Sequence, residues 1–425
     1  MRLGDTANTD AQRFGKPLDG VRILAAEQMQ ALPYATQLLA RLGAEVVKVE
    51  HPVHGESGRG STPAMTDPEG RAVGATYLRN NLGKRSLGID LKSAEGRDLF
   101  LALVPRFDVI AENFKAGTMQ RLGLGYEVIA EQNPRAIYVS LSGFGDGYAD
   151  AAESPYRDWP AYASIVEAMS GIYEWKAGPD RPPVANPVGA LGDISSALFA
   201  TIGILAALRH RDTTGLGQYV DIAMLDAVIA MTDVVANFWS LGVRPEPGKG
   251  LQIILDGFGT ADGYVVVQVV REHQFEKLAD LVGRPEWKDD PRFATRAGWA
   301  PNLEAVIRPA VEAWAKQHTK LEATRALTAV GIAAGPSNSA PDLIADPHVA
   351  IRNMLVEMPR TDTAPDGSPL DPVLIPGNPV KMSKVAEGPE TRVPWVGEHT
   401  AEVLRAELDL SDVDIAKLRE AGVVN

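Results

Sequence analysis

Along residues 1–225, short apolar runs alternate with segments whose apolar positions recur every three to four residues. The runs at 21–25, 44–50, 85–91, 109–113, 136–141 and 219–222 have the length and β-branched content of buried strands. Helical spacing marks 31–42, 93–104 and 195–208, with Gly43 placed as a helix C-cap and Ser93 as an N-cap. The first strand, helix and strand fit within about 30 residues, as a βαβ unit requires. This alternation predicts an α/β fold with a Rossmann-like, doubly wound parallel sheet, binding its ligands at the carboxyl ends of the strands.

The pattern changes after a helix expected over 224–239. Residues 242–259 are rich in Gly and Pro and read as a linker. A strand over 263–270 and helices over 274–282 and 303–317 then predict a second, smaller α/β domain. Residues 359–379 are Pro-rich, and a last helix is expected over 412–421 behind Ser411. The expected division is a large domain over 1–225, a linker over 226–259, a small domain over 260–345, and a return to the large domain over 346–425.

Composition narrows the function. With 45% hydrophobic and 23% charged residues in 425, the chain is an ordinary globular one. A net charge of −13 argues against nucleic acid or an anionic membrane as the main partner. There is no cysteine, hence no thiolate nucleophile and no Cys-type metal site. No apolar run of about 18 residues occurs, and the first 16 residues form no apolar signal region, so a cytoplasmic protein is expected.

Candidate chemistry can then be sorted. The first strand-to-helix turn, 26–33, has no glycine, so a pyrophosphate cannot approach as it does in NAD or FAD sites. Ser142 lacks the glycine two positions earlier that a nucleophile elbow needs. The seven histidines form no metal-binding spacing, and no metal is expected. Three glycine-punctuated turns after strands carry cations: 51–60 with His51, His54 and Arg59; 80–85 with Lys84 and Arg85; and 113–121 with Lys115 and Arg121. Together at one sheet edge they could grip phosphates, although each alone also reads as a surface loop. Asp193 precedes an apolar helix, where it suits an N-cap and, held ionised by the helix dipole, equally suits a nucleophile.

These residues carry a resemblance. Leu42-Gly43-Ala44-Glu45-Val46-Val47-Lys48-Val49-Glu50, Gly83-Lys84-Arg85-Ser86, Glu112-Asn113-Phe114-Lys115-Ala116-Gly117, Leu191-Gly192-Asp193 and Thr214-Gly215-Leu216-Gly217-Gln218 occur in the order found in the family III CoA-transferases. The match runs over nearly the whole chain. It implies a catalytic aspartate at Asp193, CoA contacts at Asn113, Phe114 and Arg121, and at Gln30 a glutamine near the reacting carbonyl. It also implies acyl-CoA and carboxylic acid substrates and an interlocked homodimer. The implied reaction passes CoA between acids through an aspartyl-acyl anhydride and an aspartyl-CoA thioester.

The sequence departs from two branches of that family. Tyr162 stands where the racemases place a histidine, and a tyrosine with an ordinary pKa of about 10 is a poor α-proton base. Ala163 and His51 replace a glutamate and an arginine of the formyl-CoA transferases, whose glycine run is reduced here to Asp256-Gly257-Phe258-Gly259. Two other readings stay open: an acyl-CoA racemase or isomerase working by α-proton transfer, and a non-catalytic acyl-CoA-binding protein.

Overall fold

Six strands, β1 (Arg22–Ala26), β2 (Glu45–Glu50), β3 (Arg85–Gly88), β4 (Val109–Glu112), β5 (Ile137–Ser142) and β6 (Tyr219–Ala223), form one parallel sheet in the order β3-β2-β1-β4-β5-β6. The structure, a computed structural model, describes the chain except for residues 148–153, 178–181, 184, 186–188, 233 and 245–251. Successive side chains on β1 point to opposite faces, so Ile23 and Ala25 enter one core and Leu24 and Ala26 the other. Helix α1 (Ala31–Arg41) covers the first face with Leu32, Ala35 and Leu39. Helix α2 (Ala94–Leu103) covers the second with Phe100 and Leu103. Burial on both faces explains why these strands are continuous apolar runs.

The strand order reverses between β1 and β4, which pair through Leu24 and Ile110. The loops leaving these two strands diverge there and open a crevice at the carboxyl edge, the general ligand position of such sheets. Helix α3 (Leu191–Thr214) packs on α1 through Ala197, Ala200 and Ile204. By length and composition α3 could cross a membrane, but half of its apolar stretch is buried inside the protein.

The chain divides into two compact units. One comprises 1–173, 185–232 and 348–425; the other comprises 174–184 and 233–347. The second unit holds a three-stranded antiparallel sheet of Ile254–Gly259, Tyr264–Val269 and Ala333–Pro336. Its core is aromatic, with Phe275 stacked on Trp299 at 5.0 Å. Strand Ile254–Gly259 lies inside the segment expected to be linker: alternate residues such as Ile254 and Phe258 are buried against helices, a use that its glycines concealed. The helix expected over 224–239 is two pieces, Met224–Met231 and Ala236–Ser240.

Candidate active site

A cavity of about 330 Å³ opens at the strand reversal, lined by Gln30, Asn113, Phe114, Lys115, Tyr162 and Asp193 among others. Three loops and one helix bring these residues together. Gln30 precedes α1, and residues 113–115 follow β4. Tyr162 precedes the helix Ala163–Met169, and Asp193 lies in the first turn of α3. A second cavity of about 340 Å³, lined by His51, Asp90, Leu91 and Lys92, shares Gln28 and Phe114 with the first.

Asp193 is not the N-cap of α3. The helix begins two residues before it, and the cap position is Ala190, in the left-handed region at φ 74° with no side-chain bond to offer. Glu167 takes over part of the capping from outside: its Oε1 accepts the Gly192 N–H at 3.0 Å, and its Oε2 accepts the Tyr173 hydroxyl at 2.6 Å. The dipole expectation for Asp193 also reverses. Burial pushes its carboxyl up to about 6, the charge of Glu167 adds to the push, and Arg79 opposes it.

The loop from Gln28 to Gln30 is held from both sides. Asn113 Oδ1 accepts the Gln28 N–H at 2.8 Å, and Asn113 Nδ2 donates to the Gln28 carbonyl at 3.0 Å. Gln30 itself uses no side-chain atom in capping α1, so its amide stays available to the cavity. Phe114 is fixed from below, where its N–H meets Glu112 Oε2 at 2.9 Å.

The cations expected to grip phosphate fall into two groups. Lys115, in the cavity wall, and Arg121 are exposed. Arg121 converges with Arg157 over Gly117: a Cβ there would stand 3.0 Å from Arg121 Nη1 and 3.3 Å from Arg157 Nη2, and φ is +75°. Only glycine suits both demands. His51 is exposed and stacks on His54 at 5.2 Å.

Arg59, Lys84 and Arg85 are corrections to the expected phosphate set. Arg59 is 3% exposed, bonded to Glu50 at 2.6 and 2.8 Å and packed over Tyr77. Lys84 has no exposed side chain and meets Glu27 at 2.6 Å. Arg85 starts β3 at the opposite, amino edge of the sheet and pairs with Glu45 and Glu402. Such pairs repay the desolvation of their charges only while both partners stay, so these cations are committed to the fold.

Glu167, Arg79 and Arg157 are part of this neighbourhood without having been singled out in the sequence. Glu167 lies 25 positions before its partner Gly192, in a segment with no motif of its own. Among the described residues no three His, Asp or Glu side chains are grouped to hold a metal ion.

Known proteins match this chain over most of its length. Residues 18–400 match the sequence profile of CoA-transferase family III. The succinyl-CoA:mesaconate CoA-transferase of Haloarcula hispanica is 36% identical over 91% of this chain and 95% of its own. The formyl-CoA:oxalate CoA-transferase of Streptomyces avermitilis is 33% identical over 96% of this chain and 100% of its own. The crystal structure of a CAIB/BAIF family protein from Brucella suis superposes with a TM-score of 0.77 at 33% identity, covering 93% of this chain and all of that one. Profile, relatives and fold agree, and the chain belongs to CoA-transferase family III as an enzyme that uses CoA thioesters.

Proposed function

We propose that the enzyme moves CoA from an acyl-CoA to a free dicarboxylic acid, with Asp193 as the nucleophile. The observation that carries this reading is the placement of Asp193 in one cavity with Gln30, Asn113 and Phe114. With its carboxyl pushed up to about 6, Asp193 is still mostly ionised at pH 7 yet more basic than an ordinary aspartate. That combination favours attack on a thioester carbonyl.

In the proposed sequence the Asp193 carboxylate adds to the donor carbonyl and expels CoA thiolate, leaving an aspartyl-acyl anhydride. The thiolate attacks the aspartyl carbonyl, forming an aspartyl-CoA thioester and releasing the donor acid. The acceptor carboxylate then displaces the thiolate to give a second anhydride. Attack of the thiolate on the acceptor's acyl carbon forms the new thioester and restores Asp193. The Gln30 amide and the free N–H groups at the start of α1 are suited to the oxyanion formed at each addition. Phe114 and Lys115 line the first cavity, His51 the second, and Arg121 stands with Arg157 over Gly117; all are suited to the CoA moiety.

Dicarboxylates are proposed because mesaconate, oxalate and the succinyl group appear in the names of the relatives. A homodimer is proposed from the apolar side chains left exposed on the first unit, Ile165, Met169, Leu198, Ile202, Ile229 and Met231. The cysteine-free chain suits a reducing compartment, the cytoplasm.

The test is isotopic. Turnover with an acceptor whose carboxylate carries heavy oxygen should leave that label in the peptide containing Asp193. Absence of label after many turnovers would refute the anhydride route. In deuterated buffer the substrate α-carbon should exchange no proton; exchange would point to the racemase reading instead.

A further inference from the structure

Glu167 is a buried carboxylate, 1% exposed, with no cation paired to it among the described residues. Its two oxygens are taken by the Gly192 N–H at 3.0 Å and the Tyr173 hydroxyl at 2.6 Å, and its own carbonyl accepts the Ser170 hydroxyl at 2.7 Å. This fixes it one residue away from Asp193 along the backbone of α3. A glutamine of the same shape would satisfy the Gly192 N–H equally well, so capping alone does not require a charge there. Burying an unpaired carboxylate is unfavourable, and hydrogen bonds from an amide and a phenol offset only part of that.

We infer that Glu167 is a positioning residue for the transfer reaction: it anchors the start of α3 and sets a second negative charge beside Asp193. The inference rests on the reading of Asp193 as nucleophile. Around Asp193 the charged and titratable groups among the described residues are Glu167 from helix Ala163–Met169, Arg79 from the short helix Ala75–Asn80, and Lys115, Arg157 and Tyr162 in the cavity wall. Of these, the acid raises the proton affinity of Asp193 and Arg79 lowers it. An aspartate kept basic in this way is a stronger nucleophile toward the thioester.

Asp193→Asn is measured first, because retained turnover in that variant removes the nucleophile and with it the premise. Given an inactive D193N, the full-length Glu167→Gln enzyme is assayed for kcat/KM against pH. The acid limb is expected to move down by about one pH unit, with the KM for the acyl-CoA unchanged. Glu167→Asp keeps the charge but withdraws it by one methylene, and its limb should fall between those of the wild type and E167Q. A purely structural role would lower kcat without moving the limb. An unmoved limb in E167Q, or in E167D should E167Q fail to fold, overturns the inference while leaving Asp193 intact.

Discussion

The carboxylate of Glu56 holds the backbone N–H of Met29 at 2.9 Å. Met29 is a non-glycine residue at φ 60°, a conformation that persists only when its surroundings enforce it. Glu56 is itself fixed, since its N–H donates to Glu50 Oε2 at 2.9 Å and Lys48 Nζ lies 3.6 Å from its Oε1. A buried ion lattice thus sets the geometry of the turn that leads into Gln30. Glu56→Ala should lower kcat by roughly 10- to 100-fold through loss of alignment, with little change in the KM for CoA esters. Steady-state kinetics check this, and an undiminished kcat would show that the turn keeps its shape without Glu56.

Asp193 should reduce stability at neutral pH. Its carboxyl titrates near 6 in the fold against an ordinary 3.8, so between those values the folded chain keeps a proton that the unfolded chain has released. Stability contributed by this group therefore falls as pH rises from about 4 to 6, and above 6 the loss is complete. Asp193→Asn should then stabilise the protein by up to about 3 kcal/mol at pH 8, a gain that disappears by about pH 4. Denaturant titrations of both proteins at the two pH values measure it. An equal difference at both would contradict the sign.

Two groups of cations should respond oppositely to mutation. Lys84→Met leaves Glu27 buried beside Lys48 alone and should cost about 3–5 kcal/mol, with no selective change in the KM for CoA esters. Arg121→Ala should leave the melting temperature unchanged and raise that KM about tenfold, the worth of one charge-assisted hydrogen bond. Thermal melts paired with kinetics decide the matter; a melting loss in R121A without a KM change would reverse the assignment.

The sheet was legible because a parallel strand buried on both faces must be apolar throughout, and 21–25, 109–113 and 136–141 have little else. Asp193 was a candidate from the sequence, and it lies in the cavity with Gln30, but its electrostatics were not legible. The position two residues into α3 and the acid opposite depend on Glu167, 26 positions earlier in an unremarked helical stretch. Arg59 and Lys84 misled for a related reason. Both lie in glycine-marked turns, as phosphate contacts do, but Arg59 folds back onto Glu50 at the end of the strand it follows, and Lys84, just before β3, reaches Glu27 just past the end of β1. Lys84 and Glu27 are 57 positions apart, and only the sheet order makes them neighbours.

The covering of edge strand β3 has a consequence for how the protein is made. Ser86 on that strand exchanges hydrogen bonds with His399, 313 positions away, and Gly88 donates to Thr400. At 5–20 residues per second, a nascent chain carries this strand edge unpaired for roughly 15–60 s. The whole second unit, whose sheet joins segments closer together in sequence, emerges during that interval. Translation speed and chaperone supply, which leave the finished active site untouched, therefore govern how much of the enzyme escapes aggregation at that edge.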